Sequence, residues 1–236
     1  MACMEETMSP QLLLRAMVAI LGVLWPISLI FGQAGGYSVK VEKFDPPKEV
    51  APEVAKVLST QVLRVLDKQG QVLCEIWLRD SVPLAKPPSG ETVRYRDLAE
   101  TTLLGVIRWV QPGSDYRKQK IKPGVYTLRL AYQPEDGDHM GTAPYTEFLL
   151  LTPHELDKSP AAFDSPKDLH DLSAKAAGSN HPAVFLLFPA KPLAQPEIRD
   201  HGNGHFVLHA GTSALINGKK VILPIALTVV GHSSAG

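Results

Sequence analysis

The chain has 236 residues, with 24 lysines and arginines against 24 aspartates and glutamates. That balance gives no electrostatic reason to expect nucleic acid or an anionic membrane surface as a partner. Twenty prolines and eighteen glycines favour many turns over long helices.

Residues 16–31 (AMVAILGVLWPISLIF) form an uncharged apolar run directly after Arg15. Gly32, Gln33 and Ala34 follow, which places small residues at the −3 and −1 positions of a cut after Ala34. This is the layout of a secretory signal, so residues 1–34 are read as a signal peptide and the protein as exported, periplasmic or extracellular. A signal anchor is the alternative, but the run is short for a spanning helix and Pro26 interrupts it. No stable membrane insertion is therefore expected after cleavage. Glu5 and Glu6 are unusual in an n-region, and a start at Met8 would remove both. The mature chain keeps a near balance of charge and 202 residues, ample for one core.

Residues 35–59 carry Gly35, Gly36, Pro46, Pro47 and Pro52 and read as an extended lead-in, with one helical turn near Glu53–Leu58. A domain over 60–236 follows. It opens with a hairpin, 61–66 (QVLRVL) and 71–79 (QVLCEIWLR), around Asp67-Lys68-Gln69-Gly70. In its second strand Val72, Cys74, Ile76 and Leu78 face one way, and Leu73, Glu75, Trp77 and Arg79 the other. Apolar side chains on both faces place that strand well inside the fold. Cys3 lies in the signal, so Cys74 is left without a partner for a disulfide, and its alternation marks it as a packed thiol rather than a nucleophile.

Residues 81–102 read as a loop. Strands are expected at 103–110, 115–121, 124–132 and 145–151, with Pro123-Gly124 suited to a type II turn. One helix is expected, over 166–177. Ser165 caps it, Pro166 takes the first position, Asp168 favours the first turn and Gly178 ends it. Strands resume at 183–188, 205–210, 213–216 and 220–230. Asn217-Gly218 is a hairpin turn, and Pro224 assigns its strand to an edge or a bulge. Many short strands with one short helix near 166–177 predict an all-β antiparallel β-sandwich.

Two stretches gather metal-ligating side chains. Asp136-Gly137-Asp138-His139-Met140-Gly141 holds carboxylates, an imidazole and a thioether, which suit a divalent ion or copper. The competing reading is a polar turn whose aspartates bond local backbone N–H groups. His201, His205 and His209 form the second stretch. In a strand His205 and His209 share a face about 13 Å apart, too far for one ion without a bend. His201 can fold back toward His205 across Gly202-Asn203-Gly204. Asp138, His139, His201, His205 and His209 are thus the candidate metal ligands, against an exposed polar face as the plainer reading. No other cofactor is expected, and a divalent or copper ion is the one considered.

No G-x-S-x-G, H-E-x-x-H, P-loop or dinucleotide fingerprint occurs. Glu75 and Glu147 lie in strands without pairing as acid and base, and solvent faces are their expected places. Trp77, Trp109, Tyr126 and Tyr132 could build a sugar platform, but at strand spacing they serve packing.

The segments 72–79 (VLCEIWLR), 103–151 and 173–184 (SAKAAGSNHPAV), above all IKPGVYTLRLAYQPEDGDHMG, resemble a family of exported, functionally uncharacterised bacterial proteins. KPGVYTLRL is also similar to the PGxY strand of transthyretin-like and other sandwich modules. The resemblance implies export and a β-rich fold and transfers no catalytic residue. The sequence thus predicts a non-catalytic binding or structural module of unknown partner. A metal-binding protein is the alternative, and a carbohydrate-binding module the next.

Overall fold

Alternation in the strands determines the architecture. Inner-face residues such as Val65, Cys74, Ile76, Ile107, Leu128, Leu130, Leu149 and Phe185 gather in one core, and their sequence neighbours point outward. A computed structural model describes residues 30–34, 36–88, 90, 92–134 and 142–233. The described residues are mostly β with few helices, and the sheets are antiparallel, a sandwich-like all-β fold as expected.

The larger sheet has eight strands. These are β1 (Ile30–Ala34), β2 (Tyr37–Lys43), β3 (Gln61–Leu66), β4 (Val72–Leu78), β6 (Leu103–Trp109), β9 (Gly124–Tyr132), β10 (Glu147–Pro153) and β11 (Val184–Leu186), adjacent in that order. The smaller sheet orders β12 (Glu197–Asp200), β13 (Phe206–Ile216) and β14 (Lys219–Val230), with β5 (Ser81–Val82) parallel to β13 at Ser213–Ala214. A short ribbon pairs β7 (Gly113–Ser114) with β8 (Lys120–Ile121). The main sheets are stitched at one side by a Leu187–Leu227 bridge and by the Phe188 N–H donating to the Ala226 carbonyl at 2.8 Å. At the other side β5, which follows β4 in the chain, joins β13.

Two smaller apolar clusters cover the outer faces. Helix α1 (Pro52–Ala55) belongs to one, where Val50, Val54 and Leu58 pack with Trp77, Leu103 and Val106. Helix α2 (Pro166–Ala177) belongs to the other, where Leu169 packs with Tyr116, Phe148, Phe188 and Val207. Its bounds match those expected. Ser165 accepts from the Lys167 N–H, and Gly178 takes φ of 63°, the left-handed cap conformation.

Several stretches differ from the sequence reading, among them β5 inside the loop expected over 81–102 and β12, where no strand was expected. The lead-in over 35–59 contributes β2, a full member of the sheet. Tyr37, Val39 and Val41 alternate with Ser38, Lys40 and Glu42, but three nearby prolines obscure the period. Residues 115–119 form a turn instead of a strand, because the Asp115 carboxylate accepts the Arg117 and Gln119 N–H groups and draws the backbone round itself. The segments 205–210 and 213–216 are one strand, β13, running through Gly211 opposite Pro224. Pro224 lies on β14, which ends its own sheet in accord with the missing N–H. Asn217 and Gly218 both take positive φ, 49° and 76°, as the two-residue hairpin requires.

Candidate functional site

The predicted histidines lie on the outer face of β12 and β13, at the margin of the cluster under α2. Strand register puts Glu197 opposite His209 and Asp200 opposite Phe206, and the turn at 202–204 brings His201 beside His205. The three histidines do not act as one set.

His201 and His209 meet. Their Nε2 atoms stand 2.9 Å apart, and the rings stack with centroids 5.1 Å apart. Such a contact needs one Nε2–H donor and one bare Nε2 acceptor, so at least one of the two rings is neutral in it. His209 is buried at 3% exposure, and burial pushes its pKa down to about 4, with Arg199 and His201 adding to the fall. His201 is exposed, and its pKa is lowered by partial burial and by Arg199. The Phe188 ring meets His201 edge-on at 4.5 Å.

His205 is held elsewhere. Its ring stacks on Tyr116 at 5.7 Å, and its Nε2 contacts the His232 carbonyl at 3.1 Å. Gly231 crosses so close that a Cβ there would stand 2.6 Å from the His205 ring. The C-terminal segment thus locks this imidazole in place. Asp138 and His139 lie outside the described residues. Among the described residues no three His, Cys, Asp or Glu side chains converge as an ion site.

The carboxylates singled out in the strands have structural partners. Glu75 is buried rather than on a solvent face. Its Oε1 accepts from Arg64 Nε at 2.7 Å and its Oε2 from Arg108 Nε at 2.6 Å, in a rung running across β3, β4 and β6. Glu147 accepts from Arg96 at 2.8 Å. Of the aromatic side chains, Trp77, Trp109 and Tyr126 are buried, and Tyr132 lies beneath Arg96, whose Cζ is 4.2 Å from the ring centroid.

Sequence reasoning did not find Arg129 and Asp157. Both are fully buried, paired through Nε–Oδ2 at 2.6 Å and Nη2–Oδ1 at 2.7 Å. Nη1 donates to the Thr101 and Ala161 carbonyls at 2.8 Å each, and Nη2 also donates to the Ser159 carbonyl at 2.5 Å. All five guanidinium N–H groups are used, and the 157–163 loop is wrapped round the cation. The only sequence signal was an arginine inside the strong alternation of 124–132. Among the described residues no helix is long and apolar enough to cross a membrane. Compared with known proteins, the chain matches no family model, no curated protein and no solved structure.

Proposed function

We propose that the chain is an exported, non-catalytic binding or structural module that works outside the cytoplasm. One observation carries the non-catalytic part. The buried carboxylates among the described residues, Glu75, Asp97, Asp115 and Asp157, are all spent on holding strands and loops. Glu75 joins Arg64 to Arg108, and Asp97 accepts the Arg94 N–H. Asp115 ties its own turn to the Val184 N–H, and Asp157 neutralises Arg129. A general acid or base needs an oxygen within reach of substrate, and these carboxylates are instead turned into protein contacts. The apolar run, the Gly32-Gln33-Ala34 junction and the resemblance to exported proteins support the location. N-terminal sequencing of protein recovered from the extracytoplasmic fraction tests it. A start at Gly35 is expected, and a membrane-bound product retaining residues 16–31 overturns it.

A second reading rests on the His201–His209 pair. Two nitrogens on a tetrahedral zinc ion at about 2.05 Å would stand about 3.3 Å apart, so an ion would replace the 2.9 Å contact between the rings and part them by about 0.4 Å. Asp138 and His139 are the candidates for completing such a site. Copper or zinc should then raise the thermal midpoint, and His209→Ala should abolish the rise. Absence of a rise with both ions, together with no metal in protein purified without chelator, rules this reading out.

A further inference from the structure

The hairpin that joins β13 to β14 turns an apolar face to solvent. The two most exposed large apolar side chains among the described residues, Leu215 at 52% and Ile222 at 50%, both lie on it. The ladder sets Leu215 opposite Lys220 and Ser213 opposite Ile222, so these four side chains share one face and Leu215 and Ile222 are diagonal neighbours. Ile216 and Val221 take the other face, where they pack half-buried against the main core. Leu193 and Pro196, from the segment before β12, line one cleft with Ile222 and extend the apolar surface. A single exposed aliphatic side chain needs no explanation, whereas neighbouring ones invite a partner.

The charges on the hairpin restrict that partner. Between Gly211 and Pro224 the only charged side chains are Lys219 and Lys220, and both are exposed. Lys219 pairs with no carboxylate among the described residues, and Lys220 reaches Asp80 only at 3.7 Å, with both side chains largely in solvent. A pair of that kind holds its lysine weakly. The even charge of the whole chain therefore hides a local excess of cations. β5 accompanies the hairpin only at Ser213 and Ala214, so the strands beyond pair with each other alone and end in the Asn217-Gly218 turn. Nothing lies within 4 Å of where a Gly218 Cβ would stand, so the tip is open. Lys220 and Pro224 on the outer edge of β14 oppose its pairing with a further strand. What remains for a partner is the side-chain face, aliphatic along the strands and cationic at the tip.

We infer that the β13–β14 hairpin docks the protein on a bilayer surface that carries anionic lipid, with Leu215 and Ile222 at the boundary between headgroups and acyl chains and Lys219 and Lys220 against the lipid phosphates. This names the partner of the binding module proposed above and rests on that reading. The attachment is peripheral, and no segment crosses the bilayer. Aliphatic side chains gain by leaving water, and a lysine stem can lie along the apolar zone while its ammonium stays among the phosphates. A bilayer surface of this kind is apolar within and anionic outside, and the hairpin meets both demands on one face and its tip.

Hydrogen exchange of the purified protein, read at residues 213–224, tests the assignment. Vesicles of phosphatidylglycerol and phosphatidylcholine in equal parts should slow exchange there at least threefold, and vesicles of phosphatidylcholine alone should leave it unchanged. Lys219→Gln with Lys220→Gln should raise the vesicle concentration needed by about tenfold or more, and added salt should act in the same direction. Leu215→Ser with Ile222→Thr should abolish the slowing with the thermal midpoint retained, because both side chains stand in solvent and threonine keeps the branched strand residue. No slowing with phosphatidylglycerol present, equal slowing with phosphatidylcholine alone, or slowing that survives Leu215→Ser with Ile222→Thr would overturn the assignment. A hairpin covered by another protein instead would give the first of these results. Because the readout is local, attachment through residues 16–31 does not imitate it. A retained leader would overturn the location and leave the docking result standing, and failure of docking would leave the N-terminal sequence untouched.

Discussion

His209 makes stability depend on pH. Its folded pKa, about 4, lies below the value near 6.5 of an unfolded histidine. Between these values the unfolded chain binds the extra proton. The contribution is therefore complete above pH 6.5 and is lost as pH falls toward 4. Chemical denaturation should show the protein losing about 2 to 3 kcal/mol more than His209→Leu between pH 7 and pH 4. Equal losses would mean that the imidazole is not buried in the neutral form. Cys74 is fully buried opposite Val65 and Trp109, and burial pushes its thiol pKa up. A thiol reagent should label it only after denaturation, and Cys74→Ser should cost about 1 to 3 kcal/mol through an unpaired buried hydroxyl. The alternation of Val72, Cys74 and Ile76 made this burial legible in sequence. The separate fates of the histidines were not legible, because Tyr116 and Gly231, which trap His205, come from distant segments.

At the scale of elements, local chemistry was the reliable guide. Helix α2 was legible because its signals, Ser165, Pro166 and Gly178, lie within one stretch and act on their own neighbours. Ser165→Ala should lower stability by about 1 kcal/mol, read as a lowered denaturation midpoint with an unchanged slope. The hairpin at Asn217-Gly218 was legible for the same reason. The 115–119 turn was misread because its apolar and polar residues alternate weakly. What bends it is the Asp115 carboxylate, which also bonds the Val184 N–H from across the molecule. Burial raises the pKa of that carboxylate while these donors oppose the rise. A strand pattern does not reveal such a contact, and the gap left between the strands expected at 205–210 and 213–216 is carried inside β13.

For the whole molecule, the two-sheet arrangement followed from counting strands and turns, while the pairing that anchors the 157–163 loop did not. Arg129 reads as an outward polar residue in a strand, yet Asp157 arrives from the loop after β10 and buries it. Asp157→Asn should be strongly destabilising, by about 3 to 5 kcal/mol in denaturant titration, because it leaves a buried cation without its anion. A double change of Arg129→Met with Asp157→Leu should recover much of that loss, since it leaves no buried charge.

The first strand would make the proposed cleavage a structural event. β1 covers the open edge of β2 through Ile30↔Lys40 and Ala34↔Tyr37 and also runs against β12 of the other sheet. Those five residues lie just before the proposed cut after Ala34. Processing there would excise a strand along with the leader, and the precursor and the processed chain would carry sheets of different width. The processed form would present the backbone of β2 as a donor–acceptor row seeking a replacement strand, an invitation to strand exchange between copies. Size-exclusion chromatography of chains starting at Ile30 and at Gly35 should show the shorter one associating at lower concentration. Identical elution across the concentration range would show that β2 needs no cover.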